Sequence, residues 1–210
     1  MSGIAVIDYG AGNLGSVMNA LKRLGQEARF AKGPEDLRPG GKAGFDRLIF
    51  PGDGHFATAM ESLEKSGYAE AIREWIGADK PFLGICIGLQ LLFERSEEAP
   101  PENGKEITGL GLVPGTVKKF PGRKVPQIGW NQTKPKPHSR LFRDIPDGSF
   151  FYYIHSYYVD PKDNSITAAE AEYYLEYCAA VERGNMAAIQ FHPEKSGALG
   201  LKLLENWTFF

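Results

Sequence analysis

Three short segments of the 210-residue chain carry side chains whose spacing suits covalent chemistry. In the run from Phe82 to Gln90, Cys86 has a glycine two residues away on each side, Gly84 and Gly88. G-x-nucleophile-x-G is the spacing of a nucleophile elbow, a sharp strand-to-helix turn whose near neighbours must lack side chains. A helix starting just after Cys86 would bring partial positive charge and free N–H groups to the sulfur. It would also make the N–H of Ile87 an oxyanion donor. A nucleophile needs a base, and His192 stands two residues before Glu194 in Phe191-His192-Pro193-Glu194-Lys195-Ser196. Along an extended segment those two side chains share a face, so the carboxylate can fix the imidazole tautomer. Pro51-Gly52-Asp53-Gly54 is a glycine turn at a strand end, where the backbone offers a second oxyanion donor.

Each segment also has a plainer reading. Unpaired cysteine is among the most buried residue types, a strand-end histidine is commonly a surface group, and Pro-Gly is a common turn. The other histidines do not compete well: His138 sits in a Lys/Pro loop. A His-x-Glu pair suggests a zinc deaminase only with a P-C-x-x-C partner, which the chain lacks. No other cluster has metal-ligand spacing, so neither metal nor cofactor is expected. Gly10-Ala11-Gly12-Asn13-Leu14-Gly15 fits the G-x-G-x-x-G dinucleotide fingerprint and lies between a strand and a helix. The acidic residue needed at the end of the second strand is missing: Lys32 follows that strand, and Glu35 comes only after Gly33-Pro34.

The elements that must hold these residues alternate in the first half. Strands are predicted at 4–8, 27–31, 47–52 and 81–86. Helices are predicted at 13–25, over 56–77 with a break at Gly67, and over 87–96. This alternation implies a parallel sheet covered by helices on both faces. The second half reads as strands at 115–120, 124–131, 150–159, 166–173 and 177–182, with a hairpin at 182–185 into 186–191. Residues 134–138 read as a loop and 196–207 as a closing helix. With no internal repeat, a single domain over residues 1–210 is the expected organisation: α/β, with a mixed, mostly parallel central sheet and an antiparallel β extension.

Hydrophobic residues make up 42% of the chain and charged residues 24%, an ordinary balance for a globular protein. A formal net charge of -2 gives no electrostatic footprint for nucleic acid or anionic membrane. The opening MSGIAVIDYG lacks a basic flank and carries Asp8, so no signal peptide is expected. No apolar run is long enough to span a bilayer. Cys86 and Cys178 form no C-x-x-C unit and are expected to be reduced thiols, which suits the cytoplasm.

Taken together, GICIGLQLLF and FHPEKS resemble the class I, triad-type glutamine amidotransferases, whose sheet is flavodoxin-like. VIDYGAGNLGSV, FPGDGHF, VPQIGWN, FYYIHSYYV and IQFHPEKSG occur in that order along nearly the whole chain. That set is similar to the glutaminase subunits of imidazole glycerol phosphate synthase, in histidine biosynthesis. The resemblance implies Cys86 as nucleophile, His192 as base and acid, and Glu194 as orienting carboxylate. It implies an oxyanion hole from Ile87 and the Gly52-Asp53 turn, with glutamine held by Gln90 and by the backbone of His155, Ser156 and Tyr157. It further implies a heterodimer with a cyclase subunit that receives ammonia, with Asn13, Trp130, Tyr152 and Lys195 at or near the interface. The glycine loop at 10–15 then faces the partner and loses its dinucleotide reading. Asp53, where the family usually has an aliphatic residue, brings a carboxylate near the expected oxyanion. Gly15 replaces a longer polar residue common among relatives. GWN and HSYY argue against the glutaminase of another pathway, such as pyridoxal phosphate synthesis. The intact Cys86, His192 and Glu194 argue against a non-catalytic regulatory module on the same scaffold.

Overall fold

The computed structural model describes residues 3–10, 13–38, 44–100 and 107–210. The Ala11-Gly12 part of the glycine loop lies outside them. The first half of the chain contains β1 (Gly3–Val6), α1 (Leu14–Arg23), β2 (Ala28–Phe30), β3 (Phe45–Phe50), α2 (Phe56–Ser66), α3 (Tyr68–Gly77), β4 (Phe82–Ile85) and α4 (Ile87–Gln90). The second half contains β5 (Phe93–Ser96), β6 (Val113–Lys119), β7 (Gln127–Pro135), β8 (Ser149–His155), β9 (Tyr157–Pro161), β10 (Thr167–Tyr173), β11 (Leu175–Arg183), β12 (Met186–Ile189) and α5 (Gly197–Trp207).

Among the described residues the twelve strands join one mixed sheet, with a spine in the order β2-β1-β3-β4-β12-β11-β10-β7-β8. From β2 to β12 the neighbours run parallel, and from β12 outward they are antiparallel. A branch of β5, β6 and β9 meets the spine where Val159 pairs with Cys178. In β1, Ile4 and Val6 pack with Val17 and Leu21 of α1 and Leu203 and Trp207 of α5. The residues between and after them, Ala5 and Ile7, pack on the other side with Phe56 and Leu63 of α2 and Ile72 of α3. Alternate side chains therefore enter two apolar layers, which is why the parallel strands read as unbroken hydrophobic runs. Gly67, at φ +80°, separates α2 from α3 where the sequence suggests a break.

Three expectations fail. The helix predicted over 87–96 lasts only from Ile87 to Gln90, and Phe93–Ser96 is a strand paired in parallel with β6. Leu89, Leu91, Leu92 and Phe93 are all buried, so the segment has no polar face to turn toward water. Its backbone is taken instead by the Gly109–Val113 segment: Leu110 N–H donates to Leu91 O at 2.7 Å and Gly109 N–H to Glu94 O at 2.9 Å. A short apolar run looks the same in a buried helix and a buried strand. The single strand predicted at 150–159 is two, parted at Ser156. One half pairs with β7 and the other with β6. The predicted loop at 134–138 also starts later, because β7 extends through Pro135.

His155 ends β8 with its ring buried among Phe120, Tyr153 and Tyr177. Burial is the main cause that lowers its pKa to about 4, with the nearby His192 acting the same way against a bond to the Tyr157 carbonyl.

Among the described residues no helix is long and apolar enough to cross a membrane.

Two outcomes follow from this packing. A Cβ at Gly88 would fall inside the contact shell of the Phe50 carbonyl oxygen, which belongs to the backbone of β3. Gly88→Ala should lower stability by about 3 kcal/mol, read as a lower urea midpoint at unchanged slope; an unshifted midpoint would contradict the close approach. His155 has a folded pKa below its unfolded value of about 6.5, so the unfolded chain binds its proton first. Its neutral form therefore stabilises the fold fully above pH ~6.5, and that contribution drains as pH falls toward 4. Urea titrations at stepped pH should show this loss in the native chain and a shallower one in His155→Gln.

Candidate active site

Cys86 joins β4 to α4 with φ +56° and ψ -106°, a left-handed conformation that costs a non-glycine residue energy. The surrounding backbone holds it there. Cys86 N–H donates to Ile189 O of β12 at 2.8 Å, and Cys86 O accepts from Leu89 N–H at 3.0 Å. A Cβ at Gly84 would lie 2.7 Å from the Gly88 carbonyl oxygen, so each flanking glycine sits where a side chain would collide with backbone. Ile87 opens α4, and its N–H has no earlier helical residue to bond.

His192 and Glu194 meet as expected, though by a different local geometry. Pro193–Lys195 is a 3-10 turn rather than extended chain, and within it Glu194 Oε1 lies 2.8 Å from His192 Nδ1. Both side chains are almost wholly buried. Among the described residues neither His192 Nε2 nor Glu194 Oε2 has a hydrogen-bond partner, although Cys86 is close enough for its charge to act on the ring. Burial disfavours the imidazolium, but Cys86 and Glu194 outweigh it and raise the His192 pKa to about 10. The histidine backbone is pinned as well. Its N–H donates to Tyr152 O at 2.9 Å, while the Ser196 hydroxyl donates to His192 O at 2.6 Å and accepts from Tyr152 N–H at 3.0 Å.

A cavity of about 310 Å³ lies over the sulfur, lined by residues that include Asp53, Ile87, Gln90, Ser156, Tyr157 and His192. It thus gathers the expected cysteine, base, glycine turn and wall residues into one cleft. Gln90 donates its amide nitrogen to Tyr157 O at 3.1 Å, and the neutral His155 ring holds the same carbonyl through Nδ1 at 2.7 Å. Of the expected partner-facing residues, Lys195 stands over the Tyr152 ring, Nζ 5.8 Å from its centroid, and Tyr152 meets Trp130 edge-on. Asn13 precedes α1, which packs beside the Pro193–Lys195 turn. A larger cavity of about 570 Å³, around His138, Arg140 and Phe210, contains none of these residues.

Several residues at the site escaped the sequence reading. Tyr9, just after β1, donates its hydroxyl to Asp53 O at 3.3 Å. A side chain at Gly52 would collide with both Tyr9 and Ile87. Burial first, then the negative charges of Asp53 and Cys86, raise the Tyr9 pKa, so the phenol remains a neutral donor. Its signal was available: a tyrosine that follows β1 must sit beside the end of the neighbouring parallel strand β3. Glu98 lines the cleft and accepts the Phe56 N–H at the start of α2 at 2.8 Å. Its position follows β5, which reads as helix in sequence, so no signal marked it. His55, beside the turn, caps α2 by accepting the Ala57 N–H on Nδ1 at 3.2 Å. Gln190 and Ser196 flank the His192 segment and carry no spacing signature of their own.

The model of the family "Glutamine amidotransferase class-I" matches residues 5–209. The chain is 48% identical to the imidazole glycerol phosphate synthase subunit HisH of a Synechococcus strain, over 99% of this chain and 93% of that protein. It is 46% identical to the protein of that name from Moorella thermoacetica, over 99% and 94%. Among solved structures, PurLQS from Thermotoga maritima superposes with a TM-score of 0.75 at 18% identity, over 100% of this chain and 99% of that one. A structure described as a glutamine amidotransferase superposes with a TM-score of 0.73 at 20% identity, over 98% and 100%. At such identities the superpositions speak for the fold, while the family model and the close relatives speak for descent. The chain belongs to the class I glutamine amidotransferases, and within them to the HisH subunits of imidazole glycerol phosphate synthase.

Proposed function

We propose that this chain, acting as a single domain, hydrolyses L-glutamine to L-glutamate and ammonia through Cys86, His192 and Glu194. It delivers the ammonia to a cyclase subunit that makes imidazole glycerol phosphate and an aminoimidazole carboxamide ribonucleotide in histidine biosynthesis. The observation that carries the reading is the buried His192–Glu194 pair at 2.8 Å, with a free Nε2 beside a cysteine on a strained elbow.

The chemistry runs in two halves. The Cys86 thiolate attacks the side-chain amide carbon of glutamine, and the oxyanion takes backbone N–H donors from Ile87 and the Gly52-Asp53 turn. The His192 imidazolium, held in its tautomer by Glu194, gives its Nε2 proton to the departing ammonia and leaves a glutamyl thioester. His192, now neutral, takes a proton from water as that water attacks the thioester; glutamate departs and the thiolate returns. Gln90 and the His155-Ser156-Tyr157 backbone form the wall that holds the substrate. The Glu98 carboxylate supplies the negative charge that an α-ammonium group requires.

The outer face of β7 and β8 supports a partner surface. Ile128 opposes Ile154 and Trp130 opposes Tyr152 across the ladder, and Ile128 and Trp130 are 61% and 56% exposed. The patch runs directly into the cleft, because the Ile154 carbonyl lies 4.0 Å from the Cys86 sulfur. A partner covering Trp130, Tyr152, Lys195 and the nearby Asn13 would seal the path of the ammonia. We place the protein in the cytoplasm, where the free thiols Cys86 and Cys178 stay reduced.

Cys86→Ala should abolish glutamine-dependent synthesis by the complex while leaving synthesis from added ammonium salts intact. Loss of both would point to a broken assembly, and retention of both would overturn the assignment. Asp53 adds negative charge beside the expected oxyanion, and Asp53→Val should raise glutaminase turnover of the isolated chain by about threefold or more. Unchanged basal turnover would remove that charge effect.

A further inference from the structure

We infer that Gln190 is a further catalytic residue of this site, which donates a side-chain N–H to the Cys86 sulfur and steadies it as a thiolate. The inference rests on the glutaminase reading above and adds a group to its machinery.

The orientation of the amide follows from its neighbours. The Tyr157 carbonyl oxygen can only accept, and Gln90 faces it at 3.1 Å, so the Gln90 atom there must be the amide nitrogen. That nitrogen also faces Gln190 at 3.1 Å, which requires an acceptor, so the Gln190 atom there is Oε1. The Gln190 nitrogen is then the atom 3.7 Å from Cys86 Sγ. Turning either amide over would set oxygen against oxygen or nitrogen against nitrogen. The chain of bonds therefore runs one way, from a backbone carbonyl to the sulfur, and delivers a donor there.

The side chain has no freedom to leave. Gln190 is wholly buried, and its backbone N–H donates to Ala179 O of β11 at 2.9 Å. At the sulfur its N–H opposes the Ile154 carbonyl, an acceptor 4.0 Å away that suits only the protonated thiol. A buried donor aimed at sulfur is best satisfied by a negative charge, and hydrogen bonds to charged groups are about twice as strong as neutral ones. Gln190 thus supports the thiolate alongside His192. It also ties the nucleophile to Gln90 on the substrate wall, so one amide pair sets both.

The test compares the cyclase complex of the native chain with Gln190→Met, which keeps the size and removes the donor, and Gln190→Glu, which presents oxygen to the sulfur. Glutaminase kcat should fall about tenfold in the methionine variant and about a hundredfold in the glutamate variant, with KM within about twofold. The pH profile of Cys86 alkylation by iodoacetamide should move to higher pH in both. Native kcat and an unmoved profile in Gln190→Met would overturn the inference. Should both variants misfold, nitrogen-15 NMR of the native chain decides. The Gln190 side-chain amide should shift over the pH range in which Cys86 alkylation rises, and should cease to do so in Cys86→Ala; indifference to Cys86 overturns the proposal. A native complex that does not hydrolyse glutamine would instead remove the reading of the site itself, and this inference with it.

Discussion

The backbone of Cys86, forced to φ +56° between β4 and α4, is the constraint on which the remaining geometry rests. Such a conformation persists only when the surroundings over-determine it. Here β3 presses the Phe50 carbonyl against Gly88, Gly88 presses its own carbonyl against Gly84, and β12 takes the Cys86 N–H through Ile189. The two parallel neighbours of β4, together with the start of α4, thus bend one residue. The same bend exposes the sulfur to a cleft and aims the start of α4 at it. The strain and the sulfur's access to the cleft have one cause.

Around that bend the site is assembled from strand ends. β1 contributes Tyr9, β3 the Pro51-Gly54 turn, β12 leads into Gln190 and His192, and the break at Ser156 between β8 and β9 supplies the Tyr157 carbonyl. A buried polar path runs through part of this assembly, from Cys86 through Gln190 and Gln90 to Tyr157, His155 and Tyr177. Buried polar groups are costly when unpaired, so such a path fixes each member in one orientation. At the site, among the described residues, His192 Nε2 and Glu194 Oε2 are left without a partner. In the proposed mechanism, Nε2 is the position from which a proton moves.

Much of this could be read from the letters. Alternating strands and helices follow from unbroken apolar runs, because both sheet faces are covered. The elbow, the His192–Glu194 pair and the glycine turn follow from spacing, since each needs particular residues at fixed separations. What stayed hidden depends on distant contacts. Whether Leu91-Leu92-Phe93 continues a helix or enters a strand is decided by Gly109 and Val113, nearly twenty residues later. Whether Phe150–Val159 is one strand or two is decided by β6 and β7 competing for its halves. Glu98 and Gln190 carry no spacing signature of their own, and Tyr9 becomes legible only once β1 is known to lie beside β3. His192 and Glu194 meet in a 3-10 turn, so the side-chain pairing was legible although its backbone was not.

The central claim is that Cys86 carries the glutamyl group during turnover, and acid quenching followed by peptide mass spectrometry tests it most directly. The complex with its cyclase subunit, mixed with glutamine and stopped within a turnover, should show the thioester mass on the peptide containing Cys86. The peptide containing Cys178 should remain unmodified, since burial holds that thiol in its protonated form with a pKa raised to about 12. Glutamate release from the active complex with no adduct on Cys86, or with the adduct on Cys178, would contradict the account.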